Sequence, residues 1–414
     1  MTNLQPHKLL VSGTANYFPH IAVLIKSYVA FHRHPTIFII THNIKDPNDV
    51  AIKELKEEFA NYQNLEIQLH YIDPKLFVSW GVDEETAKHP HMLRLALPTL
   101  PYDGKVLYVD VDTLFTNNLD ELFTRADDFL QGKSIACCPD VQDIFDKFQR
   151  KSPYQTDILP PKFYELPFGT KGNVYFNSGV MLIDLEKIRQ SPDVNKNLWQ
   201  YYMPSIFENG KFTNLDQTFL NIVHFYDKSL ISNKYNFFAF FLTQTRFFID
   251  FDKWTNYEKA LAEGKVEPPL YPSIIHFLTI SPYKAWDSPL VDFQDLYNFY
   301  KNQTVSEIIT KNVEYYFKMM INYYNHYRYT PGLIDFGNYD KFVNDLTIEK
   351  VSKSVGLFSK PWSVSPIFLL TFLYRARGLR KFRHKGKAGY DIRMQSEIEH
   401  SKNNFIPIKD LAEK

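Results

Sequence analysis

Asp110-Val111-Asp112 is where this chain first offers chemistry. Two carboxylates separated by one residue in extended backbone point to the same side. Paired hard oxygen ligands of that kind suit Mg²⁺ or Mn²⁺. Taken alone, Asp-x-Asp is common in solvated turns. Here it follows directly on the apolar run Lys105 to Val109 (KVLYV). That run predicts a buried strand with the aspartates at its carboxyl end, where open α/β sheets hold their ligands. His276 closes a second apolar run, Ser273-Ile274-Ile275. A histidine in that setting is more often a core residue. Combined with two strand-end aspartates it reads as a third, nitrogen ligand, which would favour Mn²⁺ over Mg²⁺ because imidazole is a borderline donor. Lys284 follows in a turn-like stretch, ThrIleSerProTyrLysAlaTrp over 279–286. A lysine beside a divalent ion suits a diphosphate leaving group, and its bland alternative is a solvated surface side chain.

The elements that must position these groups are legible in outline. Lys8 to Ser12 reads as a buried strand opening into Ser-Gly-Thr, and Tyr17 to Phe31 carries Ile21, Leu24, Ile25, Tyr28 and Val29 at helical spacing. Thr36 to Thr41 is a β-branched strand, Val50 to Phe59 a charged helix with an apolar stripe, and Leu65 to Tyr71 an alternating third strand. This β-α-β-α-β order predicts a mostly parallel sheet with helices on its faces. Further strands are expected at Lys105 to Val109, Ser134 to Cys138, Tyr175 to Asp184 and Pro272 to Phe277. Helices are expected at Asn118 to Phe123, capped by Asn or Asp, after Leu185, and over Asn214 to Val223. Asp140 to Val174, with four prolines, is irregular and long enough to be a lid or binding loop.

The chain has 414 residues, 44% hydrophobic and 23% charged, which supports a sizeable core and excludes disordered or collagen-like classes. Aromatic content is 16%, so ring-lined clefts are available once the core is filled. Net charge is zero but unevenly spread. Residues 291–414 hold 19 Lys/Arg against 13 Asp/Glu, and the rest hold 28 against 34. An acidic body lacks the cation excess that phosphate neutralisation needs, so nucleic acid is not an expected partner. The only cysteines, Cys137 and Cys138, are adjacent; neighbouring strand residues face opposite sides and do not readily pair. The N-terminal MTNLQPHKLLVSGT has no long apolar signal core, and no run of apolar residues is long enough for a span. The expectation is a protein made in the cytoplasm, soluble or peripheral on the inner face of the cytoplasmic membrane.

Four segments in order resemble a known family: YVDVDTLFTNNLDELF, YFNSGVMLIDLEKIR, NLDQTFLN and IIHF…YKAW. They look like the signature of the family 8 glycosyltransferases, and VSGTANYFPHIAVLIKS is similar to that family's opening strand, loop and helix. The resemblance spans roughly residues 8–290, and the ordered conjunction is more specific than any one motif. It implies a retaining enzyme of the GT-A fold. That fold is α/β and Rossmann-like, a mixed, mostly parallel sheet flanked by helices, here with a helical C-terminal extension. Typical bacterial members build lipooligosaccharide or lipopolysaccharide. The resemblance implies that Asp110, Asp112 and His276 hold the metal, Mn²⁺ or Mg²⁺. Thr14, Asn16 and Tyr17 would receive uridine, with Tyr17 stacking on the base. Val111 would offer backbone contacts to the nucleoside, and Arg94 would touch the donor. Asn177, Asp216 and Gln217 would surround the donor sugar, Asp140 would lie near sugar and acceptor, and Lys284 would meet the diphosphate. Singly, each has a plainer reading: Asn177 as a turn cap, Asp216 as a helix N-terminal charge, Arg94 in an ion pair, Tyr17 in the core.

Three departures qualify the likeness. A glycine common soon after the metal histidine is replaced by Thr279, with two extra residues before Lys284. The usual Lys-Pro-Trp is Lys284-Ala285-Trp286, and the acidic residue often found after Asp-Gln is Thr218. With no obvious carboxylate nucleophile, same-face attack is favoured, with Gln217 beneath the ring and a nucleophilic Asp216 as the alternative.

The expected division is a nucleotide-sugar-binding catalytic domain over 1–290 and a basic helical extension over 291–414. Within the latter, the apolar stretch 366–374 precedes Arg375, Arg377, Arg380, Lys381, Arg383, Lys385 and Lys387, with no acid until Asp391. Segment 366–387 suits an anionic membrane surface, or equally a core helix with a solvated basic tail. The reading is transfer of galactose or glucose from a UDP-sugar to a glycan or glycolipid acceptor. The alternatives are a protein-modifying, toxin-like transferase and a silent nucleotide-binding member.

Overall fold

The structure, a computed structural model, describes residues 5–140, 175–208, 215–239, 272–278, 284–287 and 294–310. The expected loop over 140–174 past Asp140, Thr279, and the segment 366–387 lie outside the described residues. The chain divides into two compact units. One takes Met1–Phe237, Pro272–His276 and Asp335–Asn344; the other takes Phe238–Tyr271, Phe277–Ile334 and Asp345–Lys414.

The first unit is built on a seven-stranded sheet. Its strands are β1 (His7–Gly13), β2 (Thr36–His42), β3 (Leu65–Tyr71), β4 (Lys105–Val109), β6 (Ile135–Pro139), β7 (Phe176–Asp184) and β8 (Lys228–Leu230), in the order β3-β2-β1-β4-β7-β6-β8. β1 pairs in parallel with both β2 and β4, so the strand order reverses beside β1 and leaves a crevice at the carboxyl ends there. β7 runs antiparallel to both β4 and β6. Its first residues therefore sit at the same edge as the last residues of β1, β4 and β6. A β-bulge between Cys137 and Cys138 re-registers β6 against β7, setting Cys138 opposite Asn177. Both cysteines are free and buried.

Helix α1 (Phe18–Phe31) follows β1 and buries Ile21, Leu24, Ile25, Tyr28 and Val29. Helix α2 (Val50–Phe59) starts at Asp49, whose Oδ1 accepts the Ala51 N–H at 2.9 Å, and buries Ile52, Leu55 and Phe59 along one stripe. Helix α3 (Leu215–Val223) packs on β7. Pro90–Thr99 is a 3-10 helix that buries Met92 to Pro98, an element that no periodicity announced.

A second, three-stranded sheet has the order β5-β10-β9, from β5 (Thr113–Phe115), β9 (Phe237–Phe238) and β10 (Ile274–His276). β10 runs antiparallel to β5 with His276 opposite Thr113, which carries the histidine to the residues that end β4. The expected helix near Asn118 is Asp120–Thr124 and has Leu119, not Asn or Asp, at its N-cap. Asn118 Oδ1 instead accepts the Asp120 N–H at 2.7 Å, the local Asx geometry that competes with capping. In the second unit the described residues include the helices Gln294–Asn302 and Val305–Thr310, with Leu296, Tyr300 and Ile308 buried. Among the described residues no helix is long and apolar enough to cross a membrane.

Candidate active site

Asp110 and Asp112 leave the end of β4, and His276 ends β10. One ligand atom from each lies within 4.8 Å of the others, although Val111 and Asp112 lie in a turn rather than in the extended backbone that the sequence suggested. His276 Nε2 is 3.3 Å from Asp112 Oδ1 and 3.8 Å from Asp110 Oδ2. His276 Nδ1 lies 2.9 Å from Asn236 Oδ1, a carbonyl oxygen that can only accept. Nδ1 therefore carries a proton, which leaves Nε2 to face the two carboxylates. Two carboxylate oxygens and one imidazole nitrogen converging in this way fit a hard to borderline divalent cation.

The sheet makes room for that histidine with a glycine. The carbonyl of Gly179 accepts the Asp110 N–H at 2.7 Å. A Cβ at Gly179 would lie 2.4 Å from His276 Cε1 and 2.8 Å from Nδ1, closer than real contacts come. Close approach of β7 to the ring is what requires glycine here.

Arg94, 5% exposed, joins this cluster to the residues around α3. Its Nη2 is 2.8 Å from Asp110 Oδ1, and its Nη1 donates to the Ser178 carbonyl at 3.1 Å. Its Nε lies 3.1 Å from Asp216 Oδ2, a charge contact rather than an aligned hydrogen bond. The guanidinium rests over the Tyr108 ring, 4.4 Å from the centroid. Burial alone would lower its pKa, but Asp110 and Asp216 raise it on balance, so Arg94 stays charged. The Tyr108 hydroxyl donates to Asp110 Oδ1, and burial lifts the Tyr108 pKa well above its ordinary value, keeping that proton in place.

At the start of β7 and α3, Gln217 Oε1 accepts the Ser178 N–H at 3.0 Å, and Gln217 Nε2 donates to Asp140 Oδ2 at 3.1 Å. Asn177 Nδ2 reaches the same Asp140 oxygen at 3.5 Å, and Asn177 Oδ1 accepts the Gly179 N–H at 2.9 Å. Asp110, Asp112, His276, Arg94, Asp140, Asn177, Asp216 and Gln217 thus form one continuous polar cluster.

Thr14, Asn16 and Tyr17 lie past the end of β1, where Ala15–Tyr17 is a 3-10 turn. Thr14 Oγ1 donates to Asn16 Oδ1, and the half-buried Tyr17 ring sits 6.2 Å from His20. Val111 is half-exposed between the aspartates. Lys284 belongs to the second unit, where its Nζ donates to the Phe277 carbonyl at 3.3 Å and its N–H to Asp287 Oδ2 at 3.0 Å. Sequence reasoning missed Tyr108, Ser178, Gly179 and Asn236 as parts of the site. Tyr108 was findable, since it lies on β4 two residues before Asp110. Asn236, in Lys-Tyr-Asn-Phe-Phe, carries no local signal.

The description "Glycosyl transferase family 8" matches residues 8–289. Human xyloside xylosyltransferase 1 is 38% identical over 92 residues, 21% of this chain and 21% of that protein. Mouse glucoside xylosyltransferase 2 is 26% identical over 235 residues, 53% of this chain and 48% of that protein. The chain therefore spans well under two thirds of the length of both curated relatives. The crystal structure of the galactosyltransferase LgtC in complex with donor and acceptor sugar analogs superposes with a TM-score of 0.50 at 18% identity, covering 71% of this chain and 95% of that one. That likeness shows the GT-A fold.

Proposed function

The chain belongs to glycosyl transferase family 8, and on that premise we propose that it is a metal-dependent, retaining glycosyltransferase. It moves a hexose, galactose or glucose, from a UDP-sugar to a glycan or glycolipid acceptor in cell-surface glycan synthesis, in the manner of lipooligosaccharide assembly. The observation that carries the reading is the convergence of Asp110, Asp112 and His276 at the carboxyl edge of the sheet, joined through Arg94 to Asp216.

Asp110, Asp112 and His276 would hold Mn²⁺ or Mg²⁺, which when bound would stabilise the charge developing on the diphosphate. Arg94 holds Asp110 in place while also meeting Asp216, so one buried cation orients groups on both sides of the reacting bond. In the transfer, the bond between the anomeric carbon and the diphosphate oxygen breaks. The acceptor hydroxyl oxygen bonds to that carbon from the same face, and its proton passes to the departing diphosphate. We place Gln217 beneath the sugar ring, its amide orientation set by the Ser178 N–H and Asp140. Asp216 is the alternative nucleophile. Its contact with Arg94 at 3.1 Å draws charge from the carboxylate and disfavours that role. Thr14, Asn16, Tyr17 and Val111 would take the nucleoside, Asn177 the sugar and Lys284 the diphosphate. The division near residue 290, the cytoplasmic location and contact of 366–387 with anionic lipid belong to the same proposal. The relatives' names include xylosyl transfer, so the donor panel must include UDP-xylose.

The test is donor turnover with UDP-galactose, UDP-glucose and UDP-xylose, with the anomeric configuration of the product read by NMR. Turnover of a UDP-hexose with retention supports the proposal. An inverted product overturns the mechanism, and preference for UDP-xylose overturns the hexose assignment. Transfer to protein acceptors alone would favour the protein-modifying reading.

A further inference from the structure

We propose that Asn236 is a positioning residue that locks the metal-ligand half of the site to the donor-sugar half. The proposal rests on the reading of Asp110, Asp112 and His276 as metal ligands. Asn236 follows the 3-10 turn Asn233–Tyr235 and is 1% exposed. Its side chain spans two groups from different strands. Oδ1 lies 2.9 Å from His276 Nδ1 on β10, and Nδ2 donates to Asn177 Oδ1 on β7 at 2.9 Å.

The polarity of this chain of amides is fixed by a backbone group. The Gly179 N–H can only donate, and it donates to Asn177 Oδ1. That oxygen therefore faces Asn236, and Asn236 must turn its NH₂ group toward it. The Asn236 carbonyl is left facing His276, which settles the proton on Nδ1 and leaves Nε2 to face Asp110 and Asp112. A ring held in the other tautomer would aim an N–H at the ion position. From its other end, Asn177 donates to Asp140 Oδ2, which also receives Gln217 Nε2, and the Gln217 carbonyl is held by the Ser178 N–H. A directional sequence of amides thus runs from the ligand histidine to Asp140, on which Gln217, the residue placed beneath the sugar, converges as a donor from the other side. In a buried setting each link is costly to break, because the abandoned amide finds no water.

The two ends of Asn236 can be cut separately. Asn236→Ala removes both links. Asn236→Asp keeps an acceptor for the Nδ1–H but sets a carboxylate oxygen against Asn177 Oδ1, so it preserves the histidine side and severs the sugar side. Mn²⁺ affinity with saturating UDP, read from the EPR signal of free Mn²⁺, reports the first link without requiring turnover. The turnover rate at saturating Mn²⁺ and donor reports the second.

Asn236→Ala should weaken Mn²⁺ binding about 10–100-fold, the range seen when a partner behind a metal-ligating histidine is removed. Asn236→Asp should bind Mn²⁺ within about threefold of wild type, since carboxylates serve the same role behind ligand histidines. It should still lose about tenfold or more in turnover rate, as misplacement of a positioning group does. Thermal melting of both variants controls for folding; if Asn236→Ala does not fold, the near-isosteric Asn236→Asp carries the test through its split between affinity and rate. Wild-type Mn²⁺ affinity in Asn236→Ala, or a full turnover rate in Asn236→Asp, overturns the proposal while leaving the metal reading intact. Failure of the wild-type enzyme to bind Mn²⁺ overturns the metal reading and this proposal together.

Discussion

Three of the buried histidines, His224, His32 and His7, make the stability of this fold especially sensitive to acid, and one of them can be tested in isolation. His224 is fully buried between Trp199, whose Nε1–H donates to its Nε2 at 2.8 Å, and Ser134 Oγ, 3.0 Å from its Nδ1. An indole N–H can only donate, so Nε2 is an acceptor and the ring is neutral. Burial pushes its pKa down to about 4. His32 is held in the same state: its Nε2 accepts the Leu119 N–H at 2.7 Å, and burial lowers it to about 4. His7, stacked between His34 and Phe123, is lowered to about 3, chiefly by burial. In the unfolded chain these rings titrate near 6.5. The unfolded state therefore binds protons that the folded state refuses. The stability is complete above about pH 6.5 and is lost as pH falls toward the folded values. At about 1.36 kcal/mol per unit, each ring costs about 2 kcal/mol by pH 5, and the three together about 6 kcal/mol. That is a large part of the 5–15 kcal/mol typical of a domain. The isolating variant is His224→Gln, whose amide can accept from Trp199 and donate to Ser134 without titrating. Urea unfolding should show wild type losing about 2 kcal/mol more than His224→Gln between about pH 7.5 and pH 5. Parallel losses in the two proteins would refute the buried neutral ring.

Other consequences are equally direct. Arg94→Met leaves Asp110 and Asp216 without their shared cation, and should cost about 3–5 kcal/mol in urea unfolding as well as donor turnover; a variant of wild-type stability would contradict the pairing. Gly179→Ala forces a methyl against His276, so it should weaken Mn²⁺ binding while far-UV circular dichroism stays unchanged; unchanged Mn²⁺ affinity would show that the ring can move away. Removal of residues 366–414 should lower co-sedimentation with anionic liposomes, and salt should weaken the intact protein's binding; equal sedimentation with and without the segment would leave it as ordinary surface.

Much of the scaffold was readable because its signals are local. The alternation and helical spacing between Lys8 and Tyr71 specify β1 to β3 and the two helices between them, and the apolar run before Asp110 specifies β4. The direction of β7 was not readable, since period-two burial is the same for a parallel and an antiparallel strand. Yet that direction is what brings Asn177 and Ser178 to the edge where β4 and β6 end. Arg94 could be named only through family likeness, because His-Met-Leu-Arg-Leu-Ala-Leu-Pro has neither a cap nor a clean period and folds as a 3-10 helix. Pairing of β10 with β5 joins residues far apart in the chain, so His276 beside Asp112 is a tertiary fact that no local pattern states. Asn118 misled because an Asn before an acidic stretch looks like a cap, whereas its side chain serves an Asx turn and Leu119 takes the cap position.

The central claim is that Asp110, Asp112 and His276 form a divalent-metal site on which UDP binding depends. Calorimetric titration of UDP into the wild-type enzyme, with Mn²⁺ and then with excess chelator, tests it most directly, with Asp112→Ala as the matched variant. Tight binding should appear only with Mn²⁺ in the wild type and should be lost in Asp112→Ala, whose melting curve stays cooperative. UDP binding of equal affinity in chelator, or in Asp112→Ala with Mn²⁺, would contradict the account.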